Sequence, residues 1–205
     1  NITVSPSIVQ GRTGRVEVTT TRPIALSAGW IGQPLVFTPY TPDGLHQFAL
    51  IPVQPLQDPG PYDLVVGYTS TRGAPISHTT QVLVEAGSYE SQEIVVPDDK
   101  AAAMTPDAIQ TEKDKVVGIW SQVSDPLRWQ GTFLRPIDVQ YPTTSPYGTR
   151  RAYSVADIGN FHAGQDFGAP EGAIITAPAA GVVVLAEPLT VRGNAVILDH
   201  GRGIF

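Results

Sequence analysis

The chain has no cysteine among its 205 residues. A disulfide framework and a thiolate zinc site are therefore excluded, and any metal must sit on His, Asp or Glu. No apolar run approaches the ~20 residues that a membrane-spanning helix needs, so no membrane span is expected. Positive charge is also scarce. Lys and Arg number 13 against 19 Asp and Glu, a net charge of −6 that argues against nucleic acid or an anionic membrane surface as the main partner. The first residue is Asn1, and no basic stretch followed by an apolar run marks a signal peptide, as in a mature secreted protein or a trimmed one. What remains is an ordinary globular composition, 41% apolar and 16% charged, long enough for one large domain or two small ones.

The first 95 or so residues read as all-β. Apolar and polar residues alternate in Arg15-Val16-Glu17-Val18-Thr19, in Gln47-Phe48-Ala49-Leu50-Ile51 and in Thr80-Gln81-Val82-Leu83-Val84-Glu85, and Tyr62–Tyr68 adds a more continuous apolar run. Pro42-Asp43-Gly44, Asp58-Pro59-Gly60-Pro61 and Arg72-Gly73-Ala74-Pro75 supply turns between them. This spacing predicts an immunoglobulin-like β-sandwich over residues 1–95. Residues 96–128 read as a linker and a connecting helix. Pro97-Asp98-Asp99-Lys100 and three alanines form the linker, and Thr105-Pro106-Asp107 starts the helix, with Thr105 as N-cap. Ile109, Val116, Trp120 and Val123 fall on one face of that helix, while Glu112, Lys113 and Asp114 fall mostly elsewhere. It should end before Asp125-Pro126. Residues 129–205 are Gly-rich and β. The strands Gly181–Leu185 and Ala195–Leu198 are joined by a turn at Arg192-Gly193-Asn194. Trp30, Trp120 and Trp129 read as packing residues, with Trp129 and Phe133 placed to clamp the helix.

Three ordered motifs carry the chemistry: Gly148-Thr149-Arg150-Arg151, then Phe161-His162-Ala163-Gly164-Gln165-Asp166-Phe167, then Ala177-Pro178-Ala179-Ala180-Gly181-Val182-Val183. His162 and Asp166 lie four apart, so an extended strand would separate their Cα atoms by ~13 Å. Both could not then reach one ion at ~2.0–2.2 Å. A helix would unite them, but Gly159, Gly164, Gly168 and Pro170 disfavour one. A bend at Gly164, which needs no Cβ accommodation, is the remaining way to make them a ligand pair. A surface His and Asp in a polar loop would show the same spacing.

Taken with Gly193-Asn194-Ala195-Val196-Ile197-Leu198-Asp199-His200-Gly201, these motifs resemble the LytM/lysostaphin-type zinc metallopeptidases of family M23. The resemblance implies a mainly β fold: the sandwich, the connecting helix, then the first part of an antiparallel LytM-type sheet. It also implies Zn as cofactor, His162 and Asp166 as two of its ligands, and peptidoglycan peptides as substrate in the cell envelope or outside the cell. Arg150 and Arg151 are candidates to hold a substrate carboxylate, or else to form structural salt bridges. The family's later Tyr-x-His and H-x-H segments do not occur up to Phe205, so the catalytic histidines are expected after it. His200 matches a strand-end His-Gly rather than a catalytic position, and is expected to face solvent or a turn; its other reading is an opportunistic third ligand.

Three alternatives follow. A LytM-type protein that has lost catalysis could regulate wall hydrolases by binding. A biotinyl or lipoyl carrier would need a lysine for attachment, and none follows Lys115. An adhesive or carbohydrate-binding sandwich would explain the first module only; that module could dock on the wall or cover the site. The two apolar strands near the C-terminus are expected to leave apolar edges uncovered. The 205-residue chain should therefore lack peptidase activity, and zinc-dependent cleavage in a cell-wall digestion assay would refute that expectation.

Overall fold

The computed structural model describes residues 1–95, 105–153 and 160–205. It is mainly β, and the chain divides into two units, Asn1–Tyr89 and Glu90–Phe205.

The first unit contains β1 (Ile2–Val4), β2 (Ser7–Val9), β3 (Thr13–Thr19), β4 (Leu26–Trp30), β5 (Gln33–Leu35), β6 (Thr38–Pro39), β7 (His46–Pro52), β8 (Gly60–Thr69) and β9 (Pro75–Glu85). They form a four-stranded sheet in the order β1-β3-β7-β6 and a five-stranded sheet in the order β2-β9-β8-β4-β5. The alternating runs read from the sequence fall within β3, β7, β8 and β9. Their inward residues, Val16 and Val18 from one sheet and Leu64, Val66, Val82 and Val84 from the other, share one core with Trp30 and Ile51. Period-2 alternation thus does here what a sandwich requires, burying one face of each sheet against the other. Trp30 is buried to the tip because its indole Nε1 donates to the Pro52 carbonyl at 2.9 Å. The first strand is split. β1 runs antiparallel to β3, and after Ser5-Pro6 the chain crosses to the other sheet, where β2 pairs in parallel with β9.

The second unit contains β10 (Ser91–Ile94), α1 (Pro106–Trp120), β11 (Thr143–Ser145), β12 (Arg150–Tyr153), β13 (Asp166–Phe167), β14 (Val182–Leu189) and β15 (Gly193–Asp199). The division lies earlier than residue 95, because β10 pairs in parallel with β12 and so belongs here. The helix also belongs to this unit rather than forming a separate connector. The linker residues Pro97–Lys100 and Gly159 lie outside the described residues. As expected, Thr105 caps the helix, its side chain accepting from the Ala108 amide at 3.2 Å, with Pro106 and Asp107 in the first turn. The helix ends at Trp120.

Its buried face differs from the sequence reading. Val116 is fully buried, but Trp120 and Val123 are half exposed, and Glu112 takes a buried position one turn before Val116. Glu112 can be there because its carboxylate accepts from the Val191 amide at 2.7 Å and from Arg192 Nη1 at 2.5 Å. Both donors come from the turn between β14 and β15. Lys115 pairs with Glu187 on β14, a second tie between helix and hairpin. The turn occupies residues 190–192, and Leu189 and Gly193 close the ladder on either side. Leu185 is buried, whereas Val182, Val183, Val184 and Val196 stand exposed.

Burial opposes ionisation of Glu112, but the Val191 amide and the Arg192 guanidinium outweigh it and hold the carboxyl below its ordinary value of 4.5. The clamp's stabilisation is therefore complete above about pH 4.5 and is lost as the pH falls through the lowered value. The Glu112→Gln variant should lose about 1.5–3 kcal/mol of stability at neutral pH. It should also lose that acid dependence, which denaturant titrations at pH 3 to 7 will check.

Candidate metal centre

β11 ends at Ser145, and Pro146 opens a turn that brings the chain back as β12. Gly148 takes φ +88 in this turn, the left-handed value that a side chain would resist. The Gly148 amide then donates to the His162 carbonyl at 2.8 Å, and the His162 amide donates to the Thr149 carbonyl at 2.7 Å. Arg150 forms an antiparallel bridge with Phe161 next to them. Tyr147 meets the Phe161 ring edge-on at 6.3 Å. The G-x-R-R segment is therefore the strand edge that fixes the backbone of His162.

From His162 the chain bends at Gly164 and enters β13. β13 runs antiparallel to β11, with Ser145 opposite Asp166, Thr143 opposite Phe167 and one irregularity of register between them. The bend brings the two predicted ligands together: His162 Nε2 lies 3.2 Å from Asp166 Oδ1. The role foreseen for Gly164 needs correcting. Its backbone is not left-handed, and a Cβ there would meet only His162 Nε2, at an ordinary contact of 3.5 Å. Glycine leaves space beside that nitrogen rather than permitting the bend.

His162 is buried, whereas the Asp166 side chain is 55% exposed. The other ring nitrogen of His162, Nδ1, lies 3.3 Å from the Pro146 carbonyl oxygen and 3.2 Å from Ser145 Oγ. A carbonyl oxygen can only accept, so this contact assigns the proton to Nδ1 in the neutral ring. Nε2 then presents a lone pair to a carboxylate oxygen. Two acceptors at this distance repel unless a proton or a cation lies between them. Two donors around a tetrahedral zinc, each at 2.0–2.2 Å, stand about 3.4 Å apart, close to the spacing found here. The pair fits a zinc ion in chemistry and spacing. Among the described residues, however, no group of three or more His, Asp or Glu gathers around one point.

Residues 160–205 match the family model of peptidase family M23. This stretch of the second unit is similar to M23 peptidases. A solved Pseudomonas aeruginosa protein described as a candidate M23 peptidase is similar to the chain at 24% identity and a TM-score of 0.61, covering 97% of this chain and 71% of that one. At that identity the likeness concerns the fold. No curated protein matches the chain.

Within the matched residues, His200 departs from expectation. It does not face solvent: its exposure is 2%, its Nδ1–H donates to the Ala180 carbonyl at 2.7 Å, and the Phe133 ring lies 4.9 Å away, edge to face. Phe133 also contacts Trp129, so these two aromatics stand beside the end of β15. Asp199 locks the same corner. The Ser124 hydroxyl, the Gly201 amide and Arg128 hold its carboxyl below the usual range against the opposing effect of burial. A ring fixed in this way is structural, and among the described residues His200 joins no metal-binding group.

Ahead of the matched residues, Arg151 turns to the ligand pair: its Nη2 lies 3.4 Å from Asp166 Oδ2 and donates to Ser145 Oγ at 2.8 Å. Motif reading missed Ser145, and the Pro146 carbonyl is invisible to it, since a backbone acceptor has no letter of its own. The Gly164→Ala variant should change thermal stability by less than about 1 kcal/mol, because neither backbone nor packing resists the methyl group. A calorimetric melt will check this.

Proposed function

We propose that the protein is a zinc metalloendopeptidase acting on peptidoglycan peptides, in the cell envelope or outside the cell. The observation that carries this reading is the facing pair of acceptors, His162 Nε2 and Asp166 Oδ1, 3.2 Å apart within the stretch similar to M23 peptidases. His162 and Asp166 would hold the ion. The chemistry a zinc ion supplies when bound is Lewis-acid polarisation of a peptide carbonyl and easier deprotonation of water near neutral pH. His162 is committed to ligation, because its second nitrogen is engaged by Pro146 and Ser145 and is not free to carry protons for substrate. Asp166 is half exposed, so the pair opens to solvent on the carboxylate side, where an extended peptide can approach. A catalytic zinc takes three protein ligands, and we propose that the third, with the histidine that moves protons, comes from outside residues 1–205. Arg151 also contacts Asp166 and Ser145. Arg150 and Arg151 are the residues proposed to meet a substrate carboxylate.

The shortage of donors favours a second reading, a LytM-type binding protein that regulates wall hydrolases. Zinc titration against a competing chelator separates the two. The enzyme reading requires one zinc per chain and a loss in His162→Ala or Asp166→Ala exceeding the ~10–100-fold that outer partners of a metal site contribute. Absence of zinc binding, with the protein still retained on isolated cell walls, would favour the regulator.

A further inference from the structure

Ser145 is a buried serine on β11 with no part in the motif. We infer that Ser145 and Arg151 are positioning residues that hold His162 and Asp166 as one preformed ligand unit; this rests on the metal reading above.

The contacts close into a ring. Ser145 Oγ lies 3.2 Å from His162 Nδ1. Arg151 Nη2 donates to that hydroxyl oxygen at 2.8 Å, and the same nitrogen reaches Asp166 Oδ2 at 3.4 Å. Asp166 Oδ1 completes the circuit at His162 Nε2. A guanidinium nitrogen can only donate, so one of the serine oxygen's two acceptor sites is taken by Arg151 and the other is open to His162 Nδ1–H. The donor sense agrees around the ring: Arg151 donates to both Ser145 and Asp166, His162 donates to Ser145, and the two atoms left as bare acceptors are Nε2 and Oδ1. Those are the atoms a cation would take.

The placement follows from the fold. Ser145 stands directly across the β11–β13 ladder from Asp166, and Arg151 lies on β12, beyond the turn that begins at Pro146. Three short strands therefore each contribute one member. Arg151 covers Oδ2, so the carboxylate has a single oxygen, Oδ1, turned to the ion. The arrangement specifies one-oxygen coordination and a fixed imidazole tautomer before any metal arrives. Preformed ligands of this kind avoid ordering two side chains during binding. Neither positioning residue is expected to touch the ion.

The test uses the full-length protein, which would carry the third ligand proposed above, with zinc chloride as the probe and two readouts. The first, on the metal-free protein, is the imidazole nitrogen chemical shifts of His162 at a pH where the ring is neutral, which report the tautomer. The second is zinc affinity by chelator competition. The wild type should show the Nδ1–H tautomer. Ser145→Ala leaves the Pro146 carbonyl at 3.3 Å to hold the Nδ1 proton, so it should raise the share of the Nε2–H tautomer without making it the main form, and weaken zinc by about 10–100-fold. Ser145→Thr, which keeps the hydroxyl, should restore both. Arg151→Gln, which keeps a side-chain donor at this position, should weaken zinc to a similar degree. It serves as the working variant if thermal melts show that Ser145→Ala does not fold. Unchanged tautomer and affinity in Ser145→Ala and Arg151→Gln would overturn the positioning role while leaving the metal reading intact. A wild type that binds no zinc, with the tautomer still shifted by Ser145→Ala, would overturn the metal reading and leave the ring.

Discussion

A lone pair on an imidazole nitrogen and an oxygen of a carboxylate repel each other, and in this protein they are held 3.2 Å apart. Most of the second unit's local structure serves that contact. The turn at Pro146–Thr149 supplies the carbonyl that decides which ring nitrogen is bare. β12 clamps the histidine backbone, and β11 positions the strand that bears the aspartate. The same contact explains why the site is read from geometry and not from any single residue.

The two units reach stability by different routes. In the first, apolar side chains from two sheets interlock around Trp30, and Gln10, Thr38 and Gln47 are its buried polar residues. In the second, the buried positions include Val116, Ile137 and Leu185, but also Glu112, Ser145, Thr149, His162, Asp199 and His200. Buried polar groups are tolerable only when each has a partner. Glu112 has Val191 and Arg192, His200 has Ala180, and Asp199 has Gly201 and Arg128. These partners connect helix, hairpin and loop, so the second unit depends on specific bonds where the first depends on area. Such a unit is more sensitive to acid and less tolerant of substitution.

Legibility in the sequence follows the range of the interaction. Strands β3, β7, β8 and β9 were readable because alternation is local, and the Thr105 cap because its acceptor is three residues away. The bend that unites His162 and Asp166 followed from excluding strand and helix, although the reason given for Gly164 did not hold. Glu112 was misplaced because its partners lie about eighty residues later, at Val191 and Arg192, and charge alone places a glutamate on the outside. Pairing of β10 with β12 and of β2 with β9 joins strands by no pattern that either segment carries. Ser145 was missed for the same reason: its hydroxyl matters only once β11 lies across from β13.

The split first strand has a mechanical consequence. β2 and β9 run in the same direction as neighbours, with Ser7, Ile8 and Val9 registered against Leu83, Val84 and Glu85. Tension drawing the chain before β2 one way and the chain after β9 the other would slide these strands along each other. Such a pull loads every bond of the ladder together, whereas peeling would break them one at a time. The first unit is thereby able to bear tension applied along the chain.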